Sequence, residues 1–315
     1  MRVAVLICTL LAALFTAAPA WAECLAAPDA PADAAAGPVA HDGQGRLVAP
    51  VMVNGQGPFR FIVDTGANRS VLSLRLAAQL GLVPSGVGTV HSIDNVSQAP
   101  LAPITSLRYG ALDLPSAPMP LLDGPVLSGE QGLLGADGMR GRRLRLDFDH
   151  RCIEIVPSRG ARPLRGWETI RGELRFGHLV MINGTMRGLR VNILIDTGSD
   201  TTLANVALQQ ALSARMRDDD RSLNYARAYT ASGAAVPLPG AIMLPSLSLG
   251  EMKIDNVTAF VGDFHIFALW GLVEEPTLLI GMDVISQASG LAIDYERARV
   301  YFDVSARSRR QWTRR

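Results

Sequence analysis

The sequence predicts a mainly β protein made of two copies of one β-domain with short helices. Three observations carry this expectation. A chain of 315 residues is too long for one small core and fits two domains of ordinary size. Its composition, 48% hydrophobic with 30 Gly and 19 Pro but only 6% aromatic, suits many short strands closed by turns. The third observation is an internal repeat, and it organises the rest of the chain.

In the first copy, Val51-Met52-Val53-Asn54-Gly55 leads through Phe59-Arg60-Phe61-Ile62-Val63 into Asp64-Thr65-Gly66-Ala67. In the second, Val180-Met181-Ile182-Asn183-Gly184 leads through Val191-Asn192-Ile193-Leu194-Ile195 into Asp196-Thr197-Gly198-Ser199. Each predicts a hairpin turned at Asn-Gly, followed by a buried strand that delivers an Asp at its end. A helix is expected after each Asp loop, over 74–80 with Ser73 as cap and Gly81 as stop, and over 206–212 after Asn205. Downstream, Ser106-Leu107-Arg108-Tyr109-Gly110 corresponds to Ser246-Leu247-Ser248-Leu249-Gly250. The copies close alike, with Leu133-Leu134-Gly135-Ala136-Asp137 against Leu279-Ile280-Gly281-Met282-Asp283, then Leu146-Asp147-Phe148-Asp149 against Ile293-Asp294-Tyr295-Glu296.

These boundaries give a lobe over 46–157, a linker over 158–170 rich in Pro, Gly and Arg, and a second lobe over 171–304. Ahead of them, Arg2, an apolar run from Val3 to about Phe15 and Ala20-Trp21-Ala22 predict a signal peptide over 1–22, cleaved before Glu23. The run is shorter than the roughly 20 residues of a spanning helix, so no stable membrane insertion is expected after cleavage. Residues 23–45, mostly Ala, Pro and Asp, predict a disordered spacer, and 305–315 a solvated basic tail with five arginines. The expected location is periplasmic or secreted. There Cys24 and Cys152 either form a bridge, or Cys152 packs in a strand beside a loose Cys24.

A formal net charge of +1 without a basic face argues against a nucleic-acid partner. Asp218-Asp219-Asp220 has no His or Glu at ligand spacing, so it predicts a loop; neither a metal nor a cofactor is expected. The chemistry then rests on Asp64 and Asp196. Two carboxylates sharing a proton can activate a water and polarise a carbonyl, one as base and one as acid. One Asp-Thr-Gly is weak evidence; two at equivalent places of a repeat are strong. Gly66 and Gly198 leave room for backbone N–H groups near the carboxylates, and Thr65 and Thr197 carry hydroxyls able to cross-link the loops. Ala67 lacks the hydroxyl that Ser199 has for its neighbouring carboxylate, so the two sides are expected to differ in acidity. Phosphoryl transfer through an aspartyl phosphate would need a Lys and further metal-binding Asp residues around the motif, and neither Asp has them.

Over 46–304 the chain resembles the aspartic protease superfamily, in particular the bacterial retropepsin-like periplasmic aspartyl proteases. Asp196-Thr197-Gly198-Ser199-Asp200-Thr201-Thr202 is similar to the retroviral form of the active-site loop, and Asp64-Thr65-Gly66-Ala67 matches it too. Leu133-Leu134-Gly135 and Leu279-Ile280-Gly281 resemble the segments that thread behind those loops. The resemblance implies the all-β, two-lobed acid-protease fold, aspartic endopeptidase activity on extended protein or peptide segments, and a β-hairpin flap. Candidate flaps are about 89–98, with His91, and about 225–236, with Tyr229; the first lacks the tyrosine of single-chain pepsin-like enzymes. Both Asp loops lie in one chain, so a monomer is expected. The alternative is a catalytically silent peptide-binding module of the same fold.

Overall fold

A computed structural model describes Cys24, residues 35–110, 112–114, 116–215 and 240–304, and the backbone of 226–229, 235–238 and 312–314. The expected signal peptide, Asp218-Asp219-Asp220 and most of the basic tail lie outside the described residues. The molecule is all-β with few short helices, in two lobes joined by a common sheet.

The first lobe is a ten-stranded sheet whose centre is the hairpin Leu47–Val53 and Gln56–Val63. Asn54 and Gly55 turn it with φ of 50° and 75°, the left-handed pair that a two-residue hairpin loop requires. The second copy departs from this expectation. Asn183 and Gly184 lie inside the strand Leu179–Met186, and the turn falls at Arg187-Gly188 instead. Spacing explains it: Gly184 stands three residues further from its Asp than Gly55 does, so the chain turns later. A side chain at Gly184 would collide with Ile193, Leu247 and Leu249, whose packing takes up that space.

Both expected helices form. Leu74–Gln79 is capped by the Ser73 hydroxyl accepting from the Leu76 N–H at 3.0 Å, and Gly81 stops it at φ 65°. Val206–Ser213 is capped by Asn205 accepting from the Leu208 N–H at 2.9 Å.

The last strands of the two copies pair with each other. Arg142–Asp147 runs antiparallel to Gly290–Asp294, so one sheet passes beneath both lobes in the order Ala35–Pro38, Cys152–Pro157, Arg142–Asp147, Gly290–Asp294, Arg299–Asp303, Glu168–Arg175. Its apolar face, including Leu144, Leu146, Ile153, Ile155, Leu291, Ile293, Val300 and Phe302, joins the main core.

Three expected boundaries are corrected by these pairings. Part of the spacer is ordered: Ala35–Pro38 covers the free edge of Cys152–Pro157, and Ala40–His41 pairs with Leu47–Val53. Small residues suit that edge, because Gly37 passes so close to Tyr109 that a Cβ would lie 3.0 Å from its hydroxyl. Glu168–Arg175 begins inside the expected linker. Trp312–Arg314, expected in a solvated tail, adds to Met252–Ile254. The two cysteines do meet, in a Cys24–Cys152 disulfide that ties the N-terminal segment to the common sheet.

Candidate active site

Each Asp is held by the same local device. Gln56–Val63 and Leu189–Ile195 are followed directly by Asp64 and Asp196, and each lies parallel to a threading strand, Gly132–Leu134 or Thr277–Ile280. The Asp64 N–H donates to the Leu134 carbonyl at 3.0 Å, and the Asp196 N–H to the Ile280 carbonyl at 2.9 Å. Beyond each Asp, the Ala136 N–H reaches the Ala67 carbonyl and the Met282 N–H the Ser199 carbonyl, both at 2.8 Å. The threading strands therefore fix both ends of each loop.

Behind the loops sits a second carboxylate pair whose role the sequence reading had not assigned. Asp137 accepts from the N–H and hydroxyl of Ser70, and Asp283 from the N–H and hydroxyl of Thr202. Those hydroxyls in turn accept from the Gly135 and Gly281 N–H groups at 3.0 and 3.1 Å. The signal was present: both copies carry Asp two residues after the threading Gly, and both carry a hydroxyl six residues after the loop Asp.

The loops meet through Thr65 and Thr197. Thr65 Oγ1 donates to the Ile195 carbonyl at 2.7 Å and accepts from the Thr197 N–H at 3.1 Å. Reciprocally, Thr197 Oγ1 donates to the Val63 carbonyl at 2.6 Å and accepts from the Thr65 N–H at 3.2 Å. Gly66 and Gly198 pack against the opposite carboxyl, so that a Cβ on Gly66 would lie 2.5 Å from Asp196 Cγ and one on Gly198 would lie 2.2 Å from Asp64 Cγ. No larger residue fits between the lobes here.

Asp64 and Asp196 are thereby brought into side-chain hydrogen-bonding contact. Asp64 Oδ1 accepts from the N–H groups of Gly66 and Ala67, both at 2.9 Å, and Asp196 Oδ1 from Gly198 at 2.8 Å. Burial pushes both carboxyls above the usual carboxylate range. Asp196 is raised further, because the charge of Asp64 and the bond between the two carboxyls add to burial, whereas that bond and the charge of Arg46 draw Asp64 back; backbone N–H donors lower both. Two carboxyls so placed titrate as a unit and can hold one proton between them.

The expected asymmetry does not come from the Ser199 hydroxyl. Its hydroxyl turns away and donates to the Thr201 carbonyl at 2.7 Å. Arg46, which sequence reasoning did not single out, supplies charge on one side. Its guanidinium is buried against Asp42 at 2.7 Å and donates to the carbonyls of Val126 and, across the lobe boundary, Gly198 at 3.3 Å.

Both candidate flaps are hairpins. Gly86–His91 pairs with Val96–Ile104, and Ala226–Tyr229 with Ala235–Leu238, placing Tyr229 opposite Ala235. His91 is exposed, with its ring against His265 of the other lobe, a residue the sequence reading did not mark.

Two paired lobes, each giving one Asp to a shared pair, define the aspartic class of protein-cleaving proteins. Residues 49–137 and 180–284, more than half of the chain, match the model of a family described as Aspartyl protease. The chain belongs to that family. No curated protein matches it.

Proposed function

We propose that this protein is an aspartic endopeptidase that hydrolyses peptide bonds with a water activated between Asp64 and Asp196. The observation that carries the reading is the hydrogen-bonded contact of two carboxyls, one from each lobe, Asp196 buried and Asp64 partly so, both raised by desolvation. Asp64, with the Arg46 cation nearby, is the ionised base; Asp196, raised further, is the acid. Water adds its oxygen to the carbonyl carbon and gives a proton to Asp64, while Asp196 protonates the carbonyl oxygen. Return of a proton to the amide nitrogen then breaks the C–N bond and releases acid and amine.

Thr65, Gly66, Ala67, Thr197, Gly198 and Ser199 serve as the supporting loops. The hairpins that carry His91 and Tyr229 are the flaps, and a two-lobed β cleft suits an extended segment bound by main-chain hydrogen bonds. Substrates are periplasmic or membrane-anchored proteins, met by a secreted or periplasmic monomer. The disulfide supports an oxidising compartment. Among the described residues no helix is long and apolar enough to cross a membrane.

The test is digestion of an unbiased peptide mixture across pH by protein beginning at Glu23, beside Asp64→Asn, Asp196→Asn and a pepstatin arm. Cleavage lost in both variants, each still folded, is the expected result. Peptide binding without cleavage at any pH would overturn it in favour of the silent module, and full activity in either variant would overturn the shared-proton mechanism.

A further inference from the structure

The first hairpin does not stand free of the second lobe. Its strand Gly86–His91 ends at a turn, Ser92 to Asn95, closed by the Ser92 N–H donating to the Asn95 carbonyl at 2.9 Å. Beyond that turn lies the helix His265–Leu269 of the opposite lobe, between Thr258–Val261 and the threading strand under Asp196. Two hydrogen bonds join them. One runs from the Ile266 N–H to the Ile93 carbonyl at 3.3 Å, and both isoleucines are partly buried against the main core. The other lies between His91 Nδ1 and His265 Nε2 at 3.1 Å.

The ring geometry says what kind of contact this is. The planes differ by 12° and the centroids are 5.4 Å apart, which is the N···N distance plus one ring radius at each end. The imidazoles therefore lie end to end and nearly coplanar, not face on face. In that arrangement one nitrogen donates its N–H along the axis and the other accepts with its lone pair. Exactly one proton fits between them; when both rings are imidazolium, two N–H groups and two like charges confront each other. The other titratable groups on the two elements are Asp94 in the turn, which accepts from the Ser92 hydroxyl, and Asp263, two residues before His265.

We propose that His91 and His265 are positioning residues, a clasp that holds the first hairpin against the opposite lobe while one ring stays neutral and releases it when both are protonated. The proposal rests on the reading of the interlobe cleft as the substrate site. A polypeptide can enter or leave such a cleft only when the hairpin lifts, so the clasp sets the fraction of open protein as a function of pH. Neither histidine touches the reacting atoms. Their effect is on substrate entry, and it appears in KM and in the pH profile rather than in the chemistry of the dyad.

The experiment is amide hydrogen exchange, corrected for intrinsic rates, at pH 7.5 and pH 5.0 on protein from Glu23 onward carrying Asp196→Asn to prevent self-digestion. Residues 86–104 are compared with the hairpin 47–63 as internal reference. Protection of 86–104 at pH 7.5 that falls about tenfold or more at pH 5.0, with the reference unchanged, is expected. His91→Asn and His265→Asn should each give the low protection at both pH values. Equal hairpin protection at the two pH values, or a pH response that persists in both variants, would overturn the clasp. Exchange needs no catalysis, so the two readings fail separately. A pH-gated hairpin in a protein that cleaves nothing would sink the endopeptidase alone, whereas cleavage beneath a pH-indifferent hairpin would sink only the clasp.

Discussion

Replacing Thr197 by Val removes one hydroxyl from the seam between the lobes while keeping its shape. That hydroxyl donates to the Val63 carbonyl at 2.6 Å and accepts from the Thr65 N–H at 3.2 Å. Thr197 is fully buried and Thr65 nearly so, so water does not replace either bond. A buried polar group left without a partner costs about 1–3 kcal/mol, and two such groups, one of them in a long bond, place the loss at about 2–4 kcal/mol. For a chain of this size that is a fall of about 3–6 °C in the melting temperature. The assay is thermal and urea unfolding of Thr197→Val beside Thr197→Ser, which keeps the oxygen. Because Thr65 and Thr197 form one network, Thr65→Val combined with Thr197→Val should lose less than the sum of the single losses. Thr197→Val melting within about 1 °C of Thr197→Ser would refute the claim that this hydroxyl ties the lobes together.

Three further outcomes are expected. Gly198→Ala puts a Cβ 2.2 Å from Asp64 Cγ, so the dyad must move by about 1 Å or more and peptide cleavage should fall about 100-fold, while Gly43→Ala, in open space, should be neutral; kcat/KM for one peptide substrate decides. Both dyad carboxyls are raised by burial, so their contribution to stability is fully present below pH about 4, where free Asp titrates, and is lost as pH rises through the raised folded values. Asp196→Asn should therefore flatten that decline and gain stability over wild type at pH 7 but not at pH 3, read from urea midpoints across pH. The Cys24–Cys152 bridge spans 128 residues, and its removal in Cys24→Ser with Cys152→Ser should cost about 2–5 kcal/mol by urea unfolding, with no loss of the two lobes.

Much of this was legible in the sequence because the repeat marks positions twice. The Asp loops, both helix caps and the threading strands each appear at matching places, and the structure puts them in matching roles. What escaped depends on contacts between elements far apart in sequence. The turn of the second hairpin was misplaced because Asn-Gly is a local preference, and register across the sheet overrode it at Asn183-Gly184. Ala35–Pro38 looked to offer too little to bury to be ordered, yet it satisfies an open strand edge, a requirement set by Cys152–Pro157 over 100 residues away. Arg46 and His265 carry no motif at all; each matters through what the fold brings beside it.

The two copies began from one plan and no longer do the same work, and a single chain is what permits that. Counting from the start of each repeat, Arg46 before Val51 corresponds to Arg175 before Val180. Arg46 is buried in an ion pair with Asp42 and reaches the carbonyl of Gly198 in the other lobe, the residue that packs on the Asp64 carboxyl. Arg175 instead lies half exposed over the Phe176 ring, paired with Glu173 at the surface. In a symmetric pair of identical chains any cation beside one carboxyl would have its equal beside the other, and neither would be favoured as base. Here Arg46 stands beside Asp64, and its charge lowers the acidity shift of that carboxyl alone, which supports the proposed choice of Asp64 as base. Moving the base assignment to Asp196 would therefore require more than a change within the Asp-Thr-Gly loops; it would require burying Arg175 and its counterion in the second lobe.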